Sequence, residues 1–472
     1  MRFNTLTFIV FFAIVLVLHH LPFTWRAKKR NLLIASYLFY AAWNPPFVSL
    51  LAISTLVDWF VAKALGSAVS VRKRRVLLVV SLGVNLGLLG FFKYSDFLLE
   101  SFVSFLGSVG VQYQAPRLGI ILPVGISFYT FQTLSYTLDV YMGKARPWHS
   151  FLDYALFVSF FPQLVAGPIV RAVDFLPQCI EPRRATATQM GWGLSLLTLG
   201  LFEKVVLADY FMAPTADLVY SAAANAGFVD AWLGTLAFSG QIFFDFAGYS
   251  TCAIGVGMCL GFALPDNFRF PYAAVGFSDF WRRWHVSLST WLRDYLYIPL
   301  GGSRKGTTRT QINVMLTMLL GGLWHGASWR FVAWGGLHGI YLVIERGVRY
   351  LWGGGRLAGS WLVKASLALL TYFLVCITWA FFRAPDFPSA FRIVKTMLTG
   401  APNQLAIGRF NGAMVLLITA GLLGSHWLLR DGSVEQAAAK CPWWLIGLIL
   451  AVMLLCIVLL PGDNRAFIYF QF

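Results

Sequence analysis

Long apolar stretches recur along the whole chain and limit its fold more than any other feature. Hydrophobic residues make up 58% of the 472 positions and charged residues only 12%, a balance far outside the usual range for soluble domains. About 20 consecutive apolar residues cross a bilayer as a helix, and lipid-exposed backbone must satisfy its own hydrogen bonds. We therefore predict one all-α integral membrane domain over residues 1–472, with about ten to twelve transmembrane helices plus re-entrant and interfacial helices.

Glycine and proline interrupt several of these stretches. The apolar segments occupy residues 6–22, 31–43, 46–65, 76–106, 118–141, 151–170, 190–212, 230–263, 310–325, 329–350, 361–382, 411–429 and 443–460. The interruptions include Asn44-Pro45-Pro46, Gly167-Pro168 and the pair Gly321-Gly322 with Gly326. Membrane helices kink or turn back at such residues, so we expect breaks there.

The net charge of +17 comes from short basic clusters between apolar runs, such as residues 26–30 and 72–75. This spacing is typical of cytoplasmic loops that set membrane topology, and it argues against nucleic acid as a partner. The first apolar run is followed by basic residues without a small-residue cleavage site, which predicts an uncleaved span with its N-terminus outside the cytoplasm. The six cysteines are scattered, and His285, His325 and His338 lack HExxH spacing, so the sequence predicts neither a disulfide framework nor a metal site.

One polar segment, residues 278–306, stands apart from the apolar runs. Ser278 or Asp279 can cap a helix there. A stripe of apolar side chains then follows at helical spacing: Phe280, Trp284, Leu288, Trp291 and Tyr295. The opposite side carries Arg282, Arg283, Thr290, Arg293 and Asp294, and the basic residues Arg304 and Lys305 follow. The pattern predicts one amphipathic helix at the membrane interface or beside a polar cavity.

His325 is the strongest catalytic candidate, because an ionisable side chain inside a membrane segment is costly and is by default a functional residue. Neighbouring glycines leave space beside it for a substrate or another backbone. An imidazole with a near-neutral pKa suits general-base chemistry, including acyl transfer from a thioester to a hydroxyl. Trp324, with its indole N–H, is a candidate donor to a developing oxyanion.

The other polar residues in apolar surroundings are more ambiguous. From its position alone, His285 is interpreted as a packing residue at the edge of the apolar face, with a functional role as the alternative. His338 is interpreted in the same way. Asp245 must face a cavity or a partner because a carboxylate facing lipid is costly. Glu203, Lys204 and Asp209 are expected to form internal ion pairs.

A set of ordered motifs is similar to the membrane-bound O-acyltransferase (MBOAT) family, and within it to the bacterial branch that acts in alginate O-acetylation and in teichoic acid D-alanylation. The motifs are LPVGISFYTFQTLSYTLDVY (122–141), FFPQLVAGPIVR (160–171), FFDFAGYSTCAIGVG (243–257), NFRFPY (267–272), FWRRWHVSLSTWLRDYLYIPLGG (280–302), GGLWHGASW (321–329), TWAFFRA (378–384) and FIYFQF (467–472). They extend over nearly the whole chain.

This resemblance implies the MBOAT fold around a central tunnel, with N-terminal spans over 1–110, a catalytic core over 118–350 and C-terminal spans over 361–472. It also implies that His325 is the principal catalytic histidine and His285 the second. The implied activity is O-acetylation of an exported polysaccharide at the bacterial inner membrane. Acetyl-CoA is the implied donor, with no bound cofactor, and an extracytoplasmic serine-hydrolase-like acetyltransferase is the implied partner.

Several alternatives stay open. The acceptor is alginate, a similar exopolysaccharide or peptidoglycan, reached either directly or through a serine of the partner. Arg282, Arg283, Arg304 and Lys305 are candidates for attracting coenzyme A phosphates, with anchoring to lipid headgroups as the alternative. A polysaccharide or lipid-linked-sugar transporter without acyl chemistry, and a scaffold for an export machine, are the rival functions.

Overall fold

The computed structural model describes residues 1–116, 118–351, 360–403, 407–462 and 465–468. Residues 469–472 of the terminal FIYFQF motif lie outside the described residues. Helices, turns and irregular loops make up the described chain, and no β-strand occurs in it, which confirms the predicted all-α class. The Cα trace divides into two compact units, residues 1–194 with 253–265 and residues 195–252 with 266–472. The prediction of a single domain with the three regions given above stays a prediction.

The first unit begins with nine α-helices in the described residues. These are α1 (Leu6–His20), α2 (Trp25–Ala41), α3 (Val48–Ser67), α4 (Val71–Leu89), α5 (Ser95–Ser108), α6 (Ile126–Tyr141), α7 (Phe151–Ser159), α8 (Phe161–Leu164) and α9 (Ala172–Phe175). Two 3₁₀ turns, Pro45–Phe47 and Leu176–Cys179, and a π-helical segment, Gly90–Tyr94, connect some of them. The predicted run 76–106 thus corresponds to one continuous helical stretch, Val71–Ser108.

The division between the units falls inside α10 (Ala187–Phe202) and α12 (Phe228–Cys259). The remaining helices belong to the second unit: α11 (Ala213–Ser221), α13 (Phe277–Arg283), α14 (Val286–Leu292), α15 (Thr307–His325), α16 (Trp329–Leu351), α17 (Trp361–Arg383), α18 (Phe387–Thr399), α19 (Arg409–Leu429), α20 (Val434–Ala439) and α21 (Trp443–Leu459). Short 3₁₀ turns span Ala223–Asn225 and Pro271–Ala273, and π-helical segments span Glu203–Met212 and Arg293–Tyr297.

Both units contain helices that could span a membrane. Within the described ranges, five helical stretches are long and apolar enough to cross a bilayer: Pro45–Ser67, Val71–Ser108, Phe228–Cys259, Trp361–Arg383 and Arg409–Leu429. Two shorter apolar helices, α1 and α21, accompany them. The membrane character predicted from composition is confirmed, whereas the number of about ten to twelve spans stays a prediction.

In the first unit, a buried carboxylate connects three of these helices. Asp58 on α3 accepts hydrogen bonds from Ser81 and Asn85 on α4, the latter at 2.8 Å, and from Thr137 on α6 at 2.9 Å. Its side chain is fully buried. Because a polar group among apolar helices gains most from partners on neighbouring helices, this network holds α3, α4 and α6 in register.

The prediction of one continuous amphipathic helix in residues 278–306 is wrong. Two short helices, α13 and α14, are separated at His285, whose backbone φ is +44°. The first begins after Gly276, and Asp279 Oδ2 instead accepts a hydrogen bond from the Val275 amide at 3.0 Å. An L-residue in this left-handed conformation ends a helix, so the side-chain stripe is carried by two helices in place of one.

The predicted break within residues 321–326 occurs, but at its last glycine, because α15 continues through Gly321 and Gly322 to His325. The chain leaves the helix only at Gly326, which is extended. Gly322 instead lies against α16: a Cβ on it would come within 2.2 Å of the Phe331 carbonyl oxygen and 3.1 Å of the Gly335 Cα. The small residues therefore let α15 and α16 approach closely, as small residues do between membrane helices.

This close approach predicts the effect of adding one methyl group. In Gly335→Ala the new Cβ would lie 2.2 Å from the Met318 carbonyl oxygen, so we expect a loss of about 1–3 kcal/mol of stability from overpacking. Thermal unfolding of the purified protein in detergent measures it. Gly347→Ala on the same helix is the matched control, since nothing lies within 4 Å of its Cβ. Equal melting temperatures for the two variants would contradict the packing.

Candidate active site

Helices α13, α14 and α15 of the second unit and the segment after residue 266 bring two histidines together. His325 is the last residue of α15, and His285 occupies the turn between α13 and α14. Their ring centroids are 6.3 Å apart with an interplanar angle of 59°. Both side chains are buried, with 2% and 0% exposure. The structure thus places the two histidines suggested by the resemblance at one site, forty positions apart in sequence.

Asn267 holds His285. Its Oδ1 lies 3.0 Å from His285 Nδ1 and also accepts a hydrogen bond from Ser287 Oγ at 2.8 Å. Its Nδ2 donates to Ser250 Oγ on α12 at 3.1 Å. Because the amide oxygen faces the ring, His285 Nδ1 carries the proton and donates, which leaves Nε2 as the acceptor nitrogen.

The backbone explains why His285 reaches this position. Val286 N donates to the Asn267 carbonyl at 2.8 Å, and Arg269 N donates to the Arg283 carbonyl at 2.9 Å. These bonds pair the segment after residue 266 with the turn between α13 and α14. The left-handed conformation of His285 is sustained by this surrounding structure, as strained residues at functional sites commonly are.

Aromatic rings enclose both imidazoles. Phe246 on α12 meets the His285 ring edge-on at 4.6 Å. His325 contacts Trp334 at 5.0 Å and Phe382 at 5.8 Å. His285 lies outside the five long apolar helices, and burial lowers its pKa to about 3. It is therefore neutral near pH 7, and one of its ring nitrogens carries a lone pair that acts as a hydrogen-bond acceptor.

Trp324 is the third predicted residue at this site. Its ring lies 5.1 Å from that of His325 and 5.9 Å from that of His285. The structure therefore groups Trp324 with both histidines, and its role as an oxyanion donor stays a prediction.

His338 belongs to a neighbouring aromatic cluster. Its Nε2 lies 3.0 Å from Thr378 Oγ1 on α17, and its ring lies 4.8 Å from Trp334. It stacks on Phe280 at 5.8 Å. The ring contacts and the bond to Thr378 agree with its interpretation as a packing residue. Trp334 contacts both His325 and His338, so it connects this cluster with the catalytic candidates.

Asp245 lies in an ion-pair group, as its apolar sequence context required. Lys204 forms ion pairs with Asp245 and, at 2.9 Å, with Asp209. Asp245 Oδ2 also accepts a hydrogen bond from the Ile468 amide at 2.7 Å. The expected pairing of Lys204 with Asp209 is confirmed, whereas one carboxylate oxygen of Glu203 is buried without a hydrogen-bond partner among the described residues.

The four predicted phosphate-binding residues differ in their surroundings. Arg283 pairs with Asp279 at 3.0 Å and donates to the Arg430 carbonyl at 2.8 Å, so it is engaged in holding α13. Arg282, Arg304 and Lys305 are exposed. Their attraction for coenzyme A phosphates stays a prediction.

Asn267, Ser250 and Trp334 are the site residues that sequence reasoning missed. NFRFPY contributed to the resemblance, yet nothing in its spacing relates Asn267 to a histidine eighteen positions later. The available signal was weak: a polar residue inside a motif otherwise made of aromatic, arginine and proline residues.

Comparison with known proteins relates the chain to one family. The model of the MBOAT, membrane-bound O-acyltransferase family, matches residues 144–352. The probable alginate O-acetylase AlgI of Pseudomonas aeruginosa is 41% identical over 422 residues, which cover 88% of this chain and 79% of that protein. The peptidoglycan O-acetyltransferase of Helicobacter pylori is 39% identical, covering 78% and 73%.

A third relative is more distant. The teichoic acid D-alanyltransferase of Streptococcus thermophilus is 31% identical over 47% of this chain and 56% of that protein. All three relatives are named for the transfer of an acyl group, and the matched family segment contains both His285 and His325. With high identity over most of both chains and an all-helical structure rich in apolar helices, the chain is an acyltransferase that belongs to the membrane-bound O-acyltransferase family.

Proposed function

We propose that this chain transfers acetyl groups from cytosolic acetyl-CoA across the bacterial inner membrane for O-acetylation of an exported polysaccharide, alginate or a similar exopolysaccharide. The observation that carries the proposal is the buried pair of His285 and His325, with 6.3 Å between ring centroids. The relative named for alginate favours this acceptor, and the one named for peptidoglycan makes peptidoglycan the second candidate.

In the proposed reaction His325 is the general base. It takes the proton of the acceptor hydroxyl, and the hydroxyl oxygen forms a bond to the acetyl carbonyl carbon of the thioester. The carbon–sulfur bond then breaks, and the proton leaves with the thiolate as the free thiol of coenzyme A. A hydrogen-bond donor at the carbonyl oxygen would stabilise the negative charge that develops there, and Trp324 is our candidate for it.

His285 is proposed to orient the hydroxyl or relay its proton. In the proposal the acceptor hydroxyl lies between the two rings, which is compatible with ring centroids 6.3 Å apart. With Nδ1 directed to Asn267 Oδ1, the acceptor nitrogen of His285 is Nε2. Asn267 is therefore a positioning residue, acting through the tautomer and orientation of His285.

The acceptor hydroxyl belongs either to the polysaccharide or to a serine of an extracytoplasmic serine-hydrolase-like acetyltransferase. Both routes need the same base and the same thioester carbonyl. The histidine pair supports the chemistry common to both.

Replacing His325 tests the central claim. We expect His325→Ala to lower acetyl transfer at least about 10²-fold, since general-base catalysis contributes about 10²–10⁴-fold. Transfer from labelled acetyl-CoA to an acceptor oligosaccharide or partner, by purified protein in liposomes, measures the loss. His338→Gln is the matched control, because it replaces another buried histidine and keeps a polar atom for Thr378.

Full activity of His325→Ala would refute the proposed base. Movement of a labelled sugar across the liposome bilayer without any acetyl transfer would instead favour the transporter hypothesis.

Replacing Asn267, whose side chain forms a hydrogen bond with His285, tests its proposed positioning role. We expect Asn267→Leu to lower kcat about tenfold with little change in KM for acetyl-CoA, because a hydrogen bond of about 1–1.5 kcal/mol corresponds to such a factor. Thr378→Val is the matched control, since it removes the polar partner of His338. In Asn267→Asp a carboxylate faces Nδ1, which raises the pKa of His285.

The pH profile separates positioning from a purely structural role. We expect the lower pH limb of kcat to move to higher pH in Asn267→Asp, because a histidine of raised pKa is protonated, and unable to accept a proton, up to a higher pH. An unchanged profile and an unchanged kcat in both Asn267 variants would contradict the assignment.

A further inference from the structure

The motif TWAFFRA, residues 378–384, contributes no side chain to the proposed reaction. It covers the end of α17, which stops at Arg383, and the residue that follows. Its second phenylalanine, Phe382, is fully buried, and the centroid of its ring lies 5.8 Å from that of His325. The motif thus places an aromatic side chain directly against the proposed catalytic base.

Aromatic rings crowd the imidazole of His325. Between ring centroids, Trp334 lies at 5.0 Å, Trp324 at 5.1 Å and Phe382 at 5.8 Å. Each contact is edge-to-face, with interplanar angles between 68° and 85°. These separations lie in the range of direct aromatic contact. Rings in direct contact with the imidazole leave only a small volume beside it.

The proposed reaction brings the acyl group among these rings. A general base lies roughly 3 Å from the hydroxyl oxygen that it deprotonates. That oxygen lies roughly 3–3.5 Å from the carbonyl carbon that it attacks. The acyl chain begins at this carbon, so it starts within a few ångströms of the His325 ring. The rings that contact the imidazole are then the walls against which the acyl chain packs.

Phe382 differs from the two tryptophans in ways that suit a purely steric role. Trp324 and Trp334 each carry an N–H donor, whereas a phenyl ring has no hydrogen-bonding atom. Phe382 is also the most distant of these three rings from His325. Of the three, it leaves the most room beside the imidazole, and its ring limits the depth of that room.

Further rings fix the position of Phe382. Its centroid lies 4.8 Å from that of Phe331, 5.3 Å from that of Trp334 and 5.5 Å from that of Trp379. Phe331 in turn packs on the backbone of Gly326, where a Cβ would come within 2.1 Å of its ring. A side chain packed this closely yields little space to a longer ligand.

We infer that Phe382 sets the upper limit on acyl length, so that the donor carries an acetyl group or one of similar size. Additional methylene groups would need the volume that the phenyl ring occupies. This assignment rests on the proposed function, which makes His325 the base and a coenzyme A thioester the donor. It adds the residue that excludes longer acyl groups.

A steric limit has a distinctive signature. In an open apolar pocket each buried methylene group adds to affinity, so longer chains bind more tightly. In a pocket of fixed size, one methylene group more or less changes discrimination by about 10–200-fold. A preference for the shorter chain therefore indicates a wall, and its loss in a variant identifies the side chain that forms the wall.

Replacing the phenyl ring by a methyl group tests the limit through a gain of activity. The wild type and Phe382→Ala, purified and placed in liposomes, receive acetyl-CoA or butyryl-CoA with the same acceptor. We expect the wild type to use butyryl-CoA at least about tenfold less efficiently, measured as kcat/KM. We expect the butyryl-to-acetyl ratio to rise at least about tenfold in Phe382→Ala. A ratio within one variant does not depend on its folded fraction.

A graded variant and a matched control accompany this measurement. Phe382→Leu removes only part of the ring volume, so we expect an intermediate ratio. Phe381→Ala removes the neighbouring phenyl ring, which is 7% exposed and contacts Phe391 of α18 at 5.3 Å. We expect this control to keep the ratio of the wild type. An equal rise in Phe381→Ala and Phe382→Ala would contradict the assignment, because it would reflect general loosening of α17.

Binding without turnover separates the size limit from the proposed function. The probes are two ketone analogues of the donor, in which a methylene group separates the sulfur from the carbonyl carbon of acetyl-CoA or butyryl-CoA. Calorimetry on the full-length protein in detergent measures their affinities. We expect the wild type to bind the acetyl analogue at least about tenfold more tightly, and Phe382→Ala to lose this preference.

An unchanged preference in Phe382→Ala would overturn the assignment. A wild type that binds both analogues equally, or binds neither, would overturn it as well. A wild type that prefers the short analogue but transfers no acetyl group would count against the proposed function alone, and the binding of Phe382→Ala would still decide the size limit.

Discussion

A polar group placed among apolar helices loses its hydrogen bonds to water, and the structure around the candidate site follows from the need to replace them. Asn267 does this for His285, and Thr378 for His338. In the first unit, hydroxyl and amide groups do it for Asp58. Each lost hydrogen bond to water is replaced by one to a residue on another element. The polar residues therefore determine which helices meet and in what register.

The need for hydrogen-bond partners also determines the tautomer of His285. A hydrogen bond at Nδ1 of His285 selects one tautomer and leaves the other nitrogen as an acceptor. Burial lowers the pKa of this histidine, so its imidazole is neutral near pH 7. In the same unit, charged side chains line one polar cavity: Lys204, Asp209, Asp217, Asp245, Arg383 and Arg465. The second unit thus holds both a buried pair of histidines and a cavity lined by charged residues.

Sequence reasoning succeeded where the property is local or a matter of composition, and it failed where a backbone conformation depends on distant partners. The stripe beginning at Phe280 predicted one helix, but His285 interrupts it because Asn267 and its backbone pair with that turn. Gly321-Gly322 with Gly326 predicted a helix break. The helix ends only at Gly326, whereas Gly322 lies within α15 and contacts α16. A glycine that permits a turn and one that permits close packing look alike in sequence.

By itself, the sequence determined that this is an all-helical membrane protein and that His325 lies in an apolar helix, because hydrophobicity and residue type are carried by each position. The ordered motifs also identified the family and proposed His285 as the second histidine. Only the tertiary structure decided that the two imidazoles face one site, that Asn267 sets the tautomer of one of them, and that Arg383, Arg465 and Gln241 line one cavity. These relations depend on contacts between residues that are far apart in sequence. Asp217 and Arg465, for example, form an ion pair across 248 positions. Periodicity and composition describe residues that are near one another in sequence, and they carry no information about such contacts.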